Sequence, residues 1–125
     1  MDNKLKLSAL GHTWLLDLDG TILKHNGYKT DGIDSFLGEA EDFLKGLPEK
    51  DMIVFITSRT EDHRQHTEGF LKEHGIRYDH IIFNAPYGER ILINDTKPSG
   101  LPTCLCIPRK RDQWEYIHLQ EDESL

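Results

Sequence analysis

Two carboxylates two residues apart, Asp17 and Asp19, follow the apolar run Trp14-Leu15-Leu16 and precede Gly20-Thr21. An aspartate at such a strand end can attack phosphorus through one carboxylate oxygen and hold a divalent cation with the other. A second aspartate two residues on can protonate the leaving oxygen and later deprotonate water, while its backbone carbonyl completes a metal site. Gly20 permits the sharp turn this geometry needs. A second candidate stretch is Thr57-Ser58-Arg59, directly after Met52–Ile56. There the Thr57 hydroxyl, with Ser58 and the backbone N–H groups of the next helix start, would hold phosphoryl oxygens. The third is Asn94-Asp95-Thr96-Lys97, after Ile91-Leu92-Ile93, with Asp95 as another metal carboxylate.

Gathered in one place, these acids would repel one another and resist ionisation. A divalent cation removes the conflict, and an oxygen-only set without His or Cys ligand spacing points to Mg²⁺ on Asp17, Asp19 and Asp95. A transferring phosphoryl group also needs a side-chain cation. Lys97 is the preferred candidate because it stands close behind Asp95. Arg90 stands about one strand length ahead of Asp95, which would place it at the opposite strand end.

The elements that would carry these residues are short apolar runs alternating with helical stretches. The runs are Trp14–Leu16, Met52–Ile56, Ile81–Phe83, Ile91–Ile93 and the weaker Thr103–Ile107. They are continuous rather than alternating, as in strands buried on both faces of a parallel sheet. Phe36, Leu37, Ala40, Phe43, Leu44 and Leu47 form one helical stripe, with Asp34 or Ser35 as the candidate cap and Pro48 as the stop. Thr60 to His74 reads as a polar helix anchored by Phe70 and Leu71, with Gly75 just past its end. The order predicts an α/β fold with a doubly wound, mostly parallel sheet, which binds ligands beyond the carboxyl ends of its strands. Residues 112–125 read as a tail that opens with a helical turn around Trp114 and frays from Gln120.

The 125 residues suit one domain, spanning 1–125 with its core at about 10–110. The net charge of −7 disfavours a nucleic-acid partner, since phosphate contacts need basic surface. No apolar run reaches the ~20 residues of a membrane span, no signal-peptide core opens the chain, and two cysteines build no disulfide scaffold. A cytoplasmic protein without membrane contact is the expectation.

Asp17-Leu-Asp-Gly-Thr-Ile is similar to the DxDGT signature of the haloacid dehalogenase-like (HAD) hydrolases. Ile56-Thr57-Ser58-Arg59 resembles their second motif and Ile91-Leu-Ile-Asn94-Asp95 their fourth, with Asn94 where many members carry an Asp. The resemblance spans roughly residues 10–110. It implies a Rossmann-like fold, an aspartyl-phosphate intermediate on Asp17, acid–base work by Asp19 and Mg²⁺ dependence. The spans between motifs leave no room for a cap domain. Capless members have open sites, covered by the substrate or by a homo-oligomer neighbour. Leu23 to Gly32 fits a short flap.

The expected function is a phosphomonoester hydrolase acting on a small-molecule phosphate ester such as a sugar phosphate. The alternatives are a nucleotide or nucleic-acid 3′-phosphatase and a non-catalytic phospho-ligand or partner-binding domain. His25, in the flap, and Arg109-Lys110-Arg111 are lesser candidates for gripping an anionic substrate. His63 and His66 read as a solvated helix face, and Cys104 and Cys106 as small core residues of one strand.

Overall fold

The structure, a computed structural model, describes residues 4–125. Its central sheet is parallel, in the order β2 (Thr13–Asp17), β3 (Met52–Ile56) and β4 (His80–Ile82). Asp17 stands opposite Ile56 and Ile56 opposite Ile82, so all three strands end along one edge. β3 reads Met-Ile-Val-Phe-Ile, and three consecutive buried residues, Ile53, Val54 and Phe55, show that it is covered on both faces.

Among the described residues three helices accompany the sheet: α1 (Gly27–Thr30), α2 (Ala40–Lys45) and α3 (Arg64–Glu73), the last entered through a 3₁₀ turn at Glu61–His63. The apolar stripe around α2 packs as its spacing predicts, with Ala40, Phe43, Leu44 and Leu47 all buried. The helix itself starts four residues later than the stripe. Gly38 adopts φ +46 under Trp114, and Phe36 is held in an antiparallel bridge to Leu23. α3 ends in a Schellman arrangement: the Ile76 amide donates to the Leu71 carbonyl at 2.9 Å and the Gly75 amide to Lys72 at 3.0 Å. Gly75 has φ +69, and Ile76 and Leu71 are both in the core.

The core joins Leu18, Ile22 and Leu23, which follow β2, to Phe43 and Leu44 of α2, Ile53 and Phe55 of β3, and Leu71 of α3. Trp14 meets Phe43 edge-on at 5.6 Å, and Trp114 covers the same ring at 5.2 Å. At the amino ends of the strands, Asp51 accepts hydrogen bonds from Trp14 Nε1 and the His12 amide, both at 2.9 Å. Burial opposes its charge, but these bonds and the His12 ring outweigh it and hold its carboxyl below the usual range.

Several expectations are corrected. Ile91–Ile93 and Thr103–Ile107 are not strands; Ile91 is 83% and Ile93 91% exposed. Four of the five prolines, at 86, 98, 102 and 108, stand in or beside this stretch, where each removes a ladder donor and restricts the preceding residue. Cys104 and Cys106 are therefore exposed rather than core residues. Trp114 lies in irregular chain, not in a helical turn. The tail does not simply fray: β5 (His118–Glu121) pairs in parallel with β1 (Lys4–Leu7), and Ile117 enters the core. Among the described residues no helix is long and apolar enough to cross a membrane.

Leu71→Ala should lower the unfolding free energy by about 2–5 kcal/mol, and Ile93→Ala should change it by less than about 0.5, in urea titrations of both variants. Asp51 has a depressed folded pKa, so its stabilisation is complete above the ordinary Asp range and is lost as pH falls through the depressed value. Asp51→Asn should thus be less stable than wild type at pH 7, and the gap should close in acid-unfolding curves below about pH 4.

Candidate active site

The edge where β2, β3 and β4 end gathers most of the candidate residues. Asp17 is the last residue of β2, Leu18 turns inward with no exposed surface, and Asp19 returns to the outer side. The amides of Thr21, Ile22 and Leu23 all donate to the Leu18 carbonyl at 2.9–3.2 Å, and the Gly20 amide donates to Leu23 at 2.7 Å. Gly20 takes φ +85, and an added Cβ would lie 3.2 Å from Arg111 Cγ. Both the turn and the close approach therefore need glycine at this position. The result is a tight coil, pinned by buried Ile22 and Leu23, that holds both carboxylates on one cleft.

Each carboxylate meets a guanidinium. Arg90 Nη1 donates to Asp17 Oδ1 at 2.8 Å, and Thr21 Oγ1 donates to Asp17 Oδ2 at 3.0 Å. Arg59 grips Asp19 in a fork, Nε to Oδ2 at 3.0 Å and Nη2 to Oδ1 at 2.8 Å. The same guanidinium donates to both oxygens of buried Asp34, at 2.8 and 3.1 Å, and to Thr67 Oγ1 at 2.9 Å. Its face lies 4.0 Å from the centre of the Tyr28 ring. Burial works against the Arg59 charge, but the bonds and charges of Asp19 and Asp34 outweigh it and raise its pKa, so it stays ionised. Asp34 is thus not a helix cap but the inner partner of this pair. His66 Nε2 approaches Asp34 at 3.4 Å from the outside.

Thr57 is buried; its amide donates to the Ile82 carbonyl at 2.9 Å and its hydroxyl accepts from the Arg59 amide at 3.0 Å. Ser58 lines the cleft, its hydroxyl 3.4 Å from the Pro86 carbonyl. Two backbone bonds, Asn84 to Arg59 at 2.8 Å and Ala85 to Thr57 at 3.0 Å, tie the following loop to the same edge and carry Tyr87 and Arg90 to the rim.

The flap adds His25, Tyr28 and Lys29 to the cleft. The C-terminal segment adds Arg111. It is docked by the Asp112 amide on the Gly20 carbonyl at 2.9 Å and by Asp112 Oδ1, which accepts from the His25 amide at 2.7 Å. The cleft measures about 280 Å³. Lys29, Arg59, Arg90 and Arg111 line it with Asp17 and Asp19, while Asp34 stands behind Arg59 and Asp112 docks beside His25. A larger hollow of about 620 Å³, beside α3 and Gly75–Tyr78, shares no residue with it.

Of the residues expected from the sequence, the structure brings Asp17, Asp19, Ser58 and Arg90 to one cleft, with Thr57 buried at its edge. Asp95 and Lys97 are not among the lining residues. They lie in the exposed segment between Ile91 and Thr103, where the Lys97 amide closes a turn on Leu101 at 2.9 Å and Asp95 accepts a bond from Thr103 through its backbone carbonyl. Since Ile91–Ile93 is not a strand, the objection that Arg90 sits at a wrong strand end does not apply. Lys29, Tyr28 and Tyr87 carried no sequence signal beyond residue type, and burial of the Arg59–Asp34 pair is invisible in a local pattern.

The donor chemistry suits a hard cation in kind, since carboxylate oxygens face the cleft without thiolate, but not in number. Among the described residues no group of three or more His, Cys, Asp or Glu side chains is placed to hold a metal ion. Both Asp19 oxygens are committed to Arg59, and Arg90 stands beside Asp17 where a cation would sit. As arranged, each of the two carboxylates is engaged by a guanidinium.

No protein-family model and no curated protein matches the chain. Two solved structures resemble it in fold. One is a chain from the Pnkp1/Rnl/Hen1 complex, 25% identical with a TM-score of 0.52, covering 66% of this chain and 31% of that one. The other is a chain from the Pnkp1/Rnl/Hen1 RNA repair complex, 25% identical with a TM-score of 0.52, covering 68% and 29%. This chain thus spans less than a third of the length of the chains it matches. The likeness agrees with the parallel α/β architecture.

Removing Arg59 strands Asp34 in the interior. Arg59→Met should cost about 3–5 kcal/mol in denaturant unfolding, and adding Asp34→Asn should restore part of that loss.

Proposed function

We propose that the chain is a phosphomonoester hydrolase of the haloacid dehalogenase-like type. The observation that carries this reading is the placement of Asp17 and Asp19 on one cleft, at the carboxyl edge of a parallel sheet, among four cations. Asp17 attacks phosphorus in line, and the bond from phosphorus to the leaving oxygen breaks. Asp19, with one of its two bonds to Arg59 opened to carry a proton, gives that proton to the leaving oxygen. Water then attacks the aspartyl phosphate while Asp19 takes back a proton, releasing phosphate and restoring Asp17. Arg90 passes from Asp17 to the phosphoryl oxygens as substrate enters, and Arg59 fixes the direction of Asp19. Thr57 and Ser58 offer hydroxyls at the same edge.

The substrate is a phosphate monoester, with a small sugar phosphate as the first reading. A nucleotide or nucleic-acid 3′-phosphate is the second. Two observations support the second: the similar chains belong to an RNA repair complex, and four cations line the cleft although the whole chain is acidic.

Hydrolysis of p-nitrophenyl phosphate tests the reading. Wild type should turn over, and Asp17→Asn should lose activity by at least ~10³-fold while remaining folded. A folded wild type that binds phosphate but hydrolyses no ester across a panel would instead mark a binding domain. Arg90→Ala should lower kcat/KM by more than about tenfold, or ~1.4 kcal/mol, and Lys97→Ala by less. Magnesium is the cofactor expected for this chemistry. Its requirement is tested by EDTA and by Asp95→Asn; metal dependence lost in that variant would mean that the segment carrying Asp95 reaches the cleft in the loaded protein.

A further inference from the structure

We infer that Tyr87 is the residue that selects the substrate, by stacking on a nucleobase attached to the phosphate-bearing sugar. This rests on the hydrolase reading and deepens it. At about 280 Å³ the cleft stands at the lower end of the ~300–1,000 Å³ that encloses a drug-sized ligand, so a sugar phosphate takes up most of it and a base attached to that sugar extends over the rim. Tyr87 stands on that rim, 92% exposed.

Its exposure is not that of a loose loop. Pro86 precedes it, and the Asn84 and Ala85 amides are bonded to the carbonyls of Arg59 and Thr57. The backbone is therefore fixed to the strand edge that carries the chemistry, while the ring meets no hydrogen-bond, cationic or aromatic partner among the described residues. Tyr28, the other tyrosine of the cleft, is already occupied by Arg59 and His63. A pinned, unengaged aromatic face is a stacking platform for any base.

The cations divide in the same way. Arg59 and Arg90 are paired with the two aspartates, whereas Arg111 carries no ion pair or hydrogen bond among the described residues and Lys29 meets only the Tyr28 ring. Two uncommitted cations beside a site for one phosphate suit a second phosphate on the same molecule. The shared chemistry is a nucleobase beside a terminal phosphate, as in a free nucleotide or a single-strand end.

The test compares four esters: a 3′-phosphorylated RNA pentanucleotide, the same strand with its last base removed, a 3′-nucleoside monophosphate and glycerol phosphate. Wild type should favour the intact pentanucleotide over its abasic form by about tenfold or more in kcat/KM. Tyr87→Ala should erase that ratio through KM, lowering kcat/KM for the pentanucleotide about tenfold more than for glycerol phosphate, and Tyr87→Trp should restore it. The mononucleotide arm separates the sources: equal preference assigns a free nucleotide, and a further gain for the strand, reduced in Arg111→Ala, assigns a strand end. Turnover with no preference for the base, or a preference that survives Tyr87→Ala, overturns the inference and leaves the hydrolase standing. If no ester is hydrolysed, the hydrolase reading fails, and fluorescence anisotropy of the labelled pentanucleotide decides. Binding that is tenfold weaker in Tyr87→Ala upholds the role of Tyr87, and equal or absent binding ends it.

Discussion

Arg59 is a charged group with almost no exposed surface, held between Asp19 and Asp34. Taking a guanidinium out of water is costly, and only full pairing with good geometry offsets the loss. Here every requirement falls on a different piece of chain. Asp19 comes from the coil after β2, Asp34 from the stretch between the flap and α2, Thr67 from α3, and Tyr28 closes one face from α1 in the flap. The cost of leaving the cation unpaired therefore couples the flap and α3 to the direction of Asp19. The geometry of the candidate acid–base group is thus a by-product of satisfying one buried charge.

Charge distribution separates what the whole chain implies from what the cleft does. A net charge of −7 repels polyanions at long range, but over distances beyond about 8–10 Å that repulsion is screened at physiological salt. Inside the cleft the lining cations act at close quarters. The two facts are compatible with a ligand that is small or that presents only its end.

The parts of the fold that could be read from sequence were those whose signal is local. Met52–Ile56 is strongly β-forming and buried on both faces; α3 carries its own stop signal at Gly75; Asp17-Leu-Asp-Gly-Thr places a turn where its glycine must be. Ile91-Leu92-Ile93 misled because an apolar run states what a segment would bury, not whether a partner strand is offered to it. With that run unpaired, Asp95 and Lys97 are not on the cleft. Asp34 misled for the opposite reason: a capping residue and a buried counter-ion look alike until the arginine 25 residues away is seen to reach it. Arg111 gave only a basic triplet, and its place beside Gly20 follows from the docking of Asp112.

The parallel pairing of Lys4–Leu7 with His118–Glu121 joins stretches more than a hundred residues apart. Such a closure pays its loop entropy in one step and has no local contacts to nucleate it. Arg111 and Trp114 lie just before β5, so the segment that completes the cleft is anchored by the ladder with the greatest sequence separation. During synthesis the central sheet and α3 are in hand long before this zipper is available. The nascent protein therefore owns its acidic pair and three of the four cations early, and gains Arg111 last.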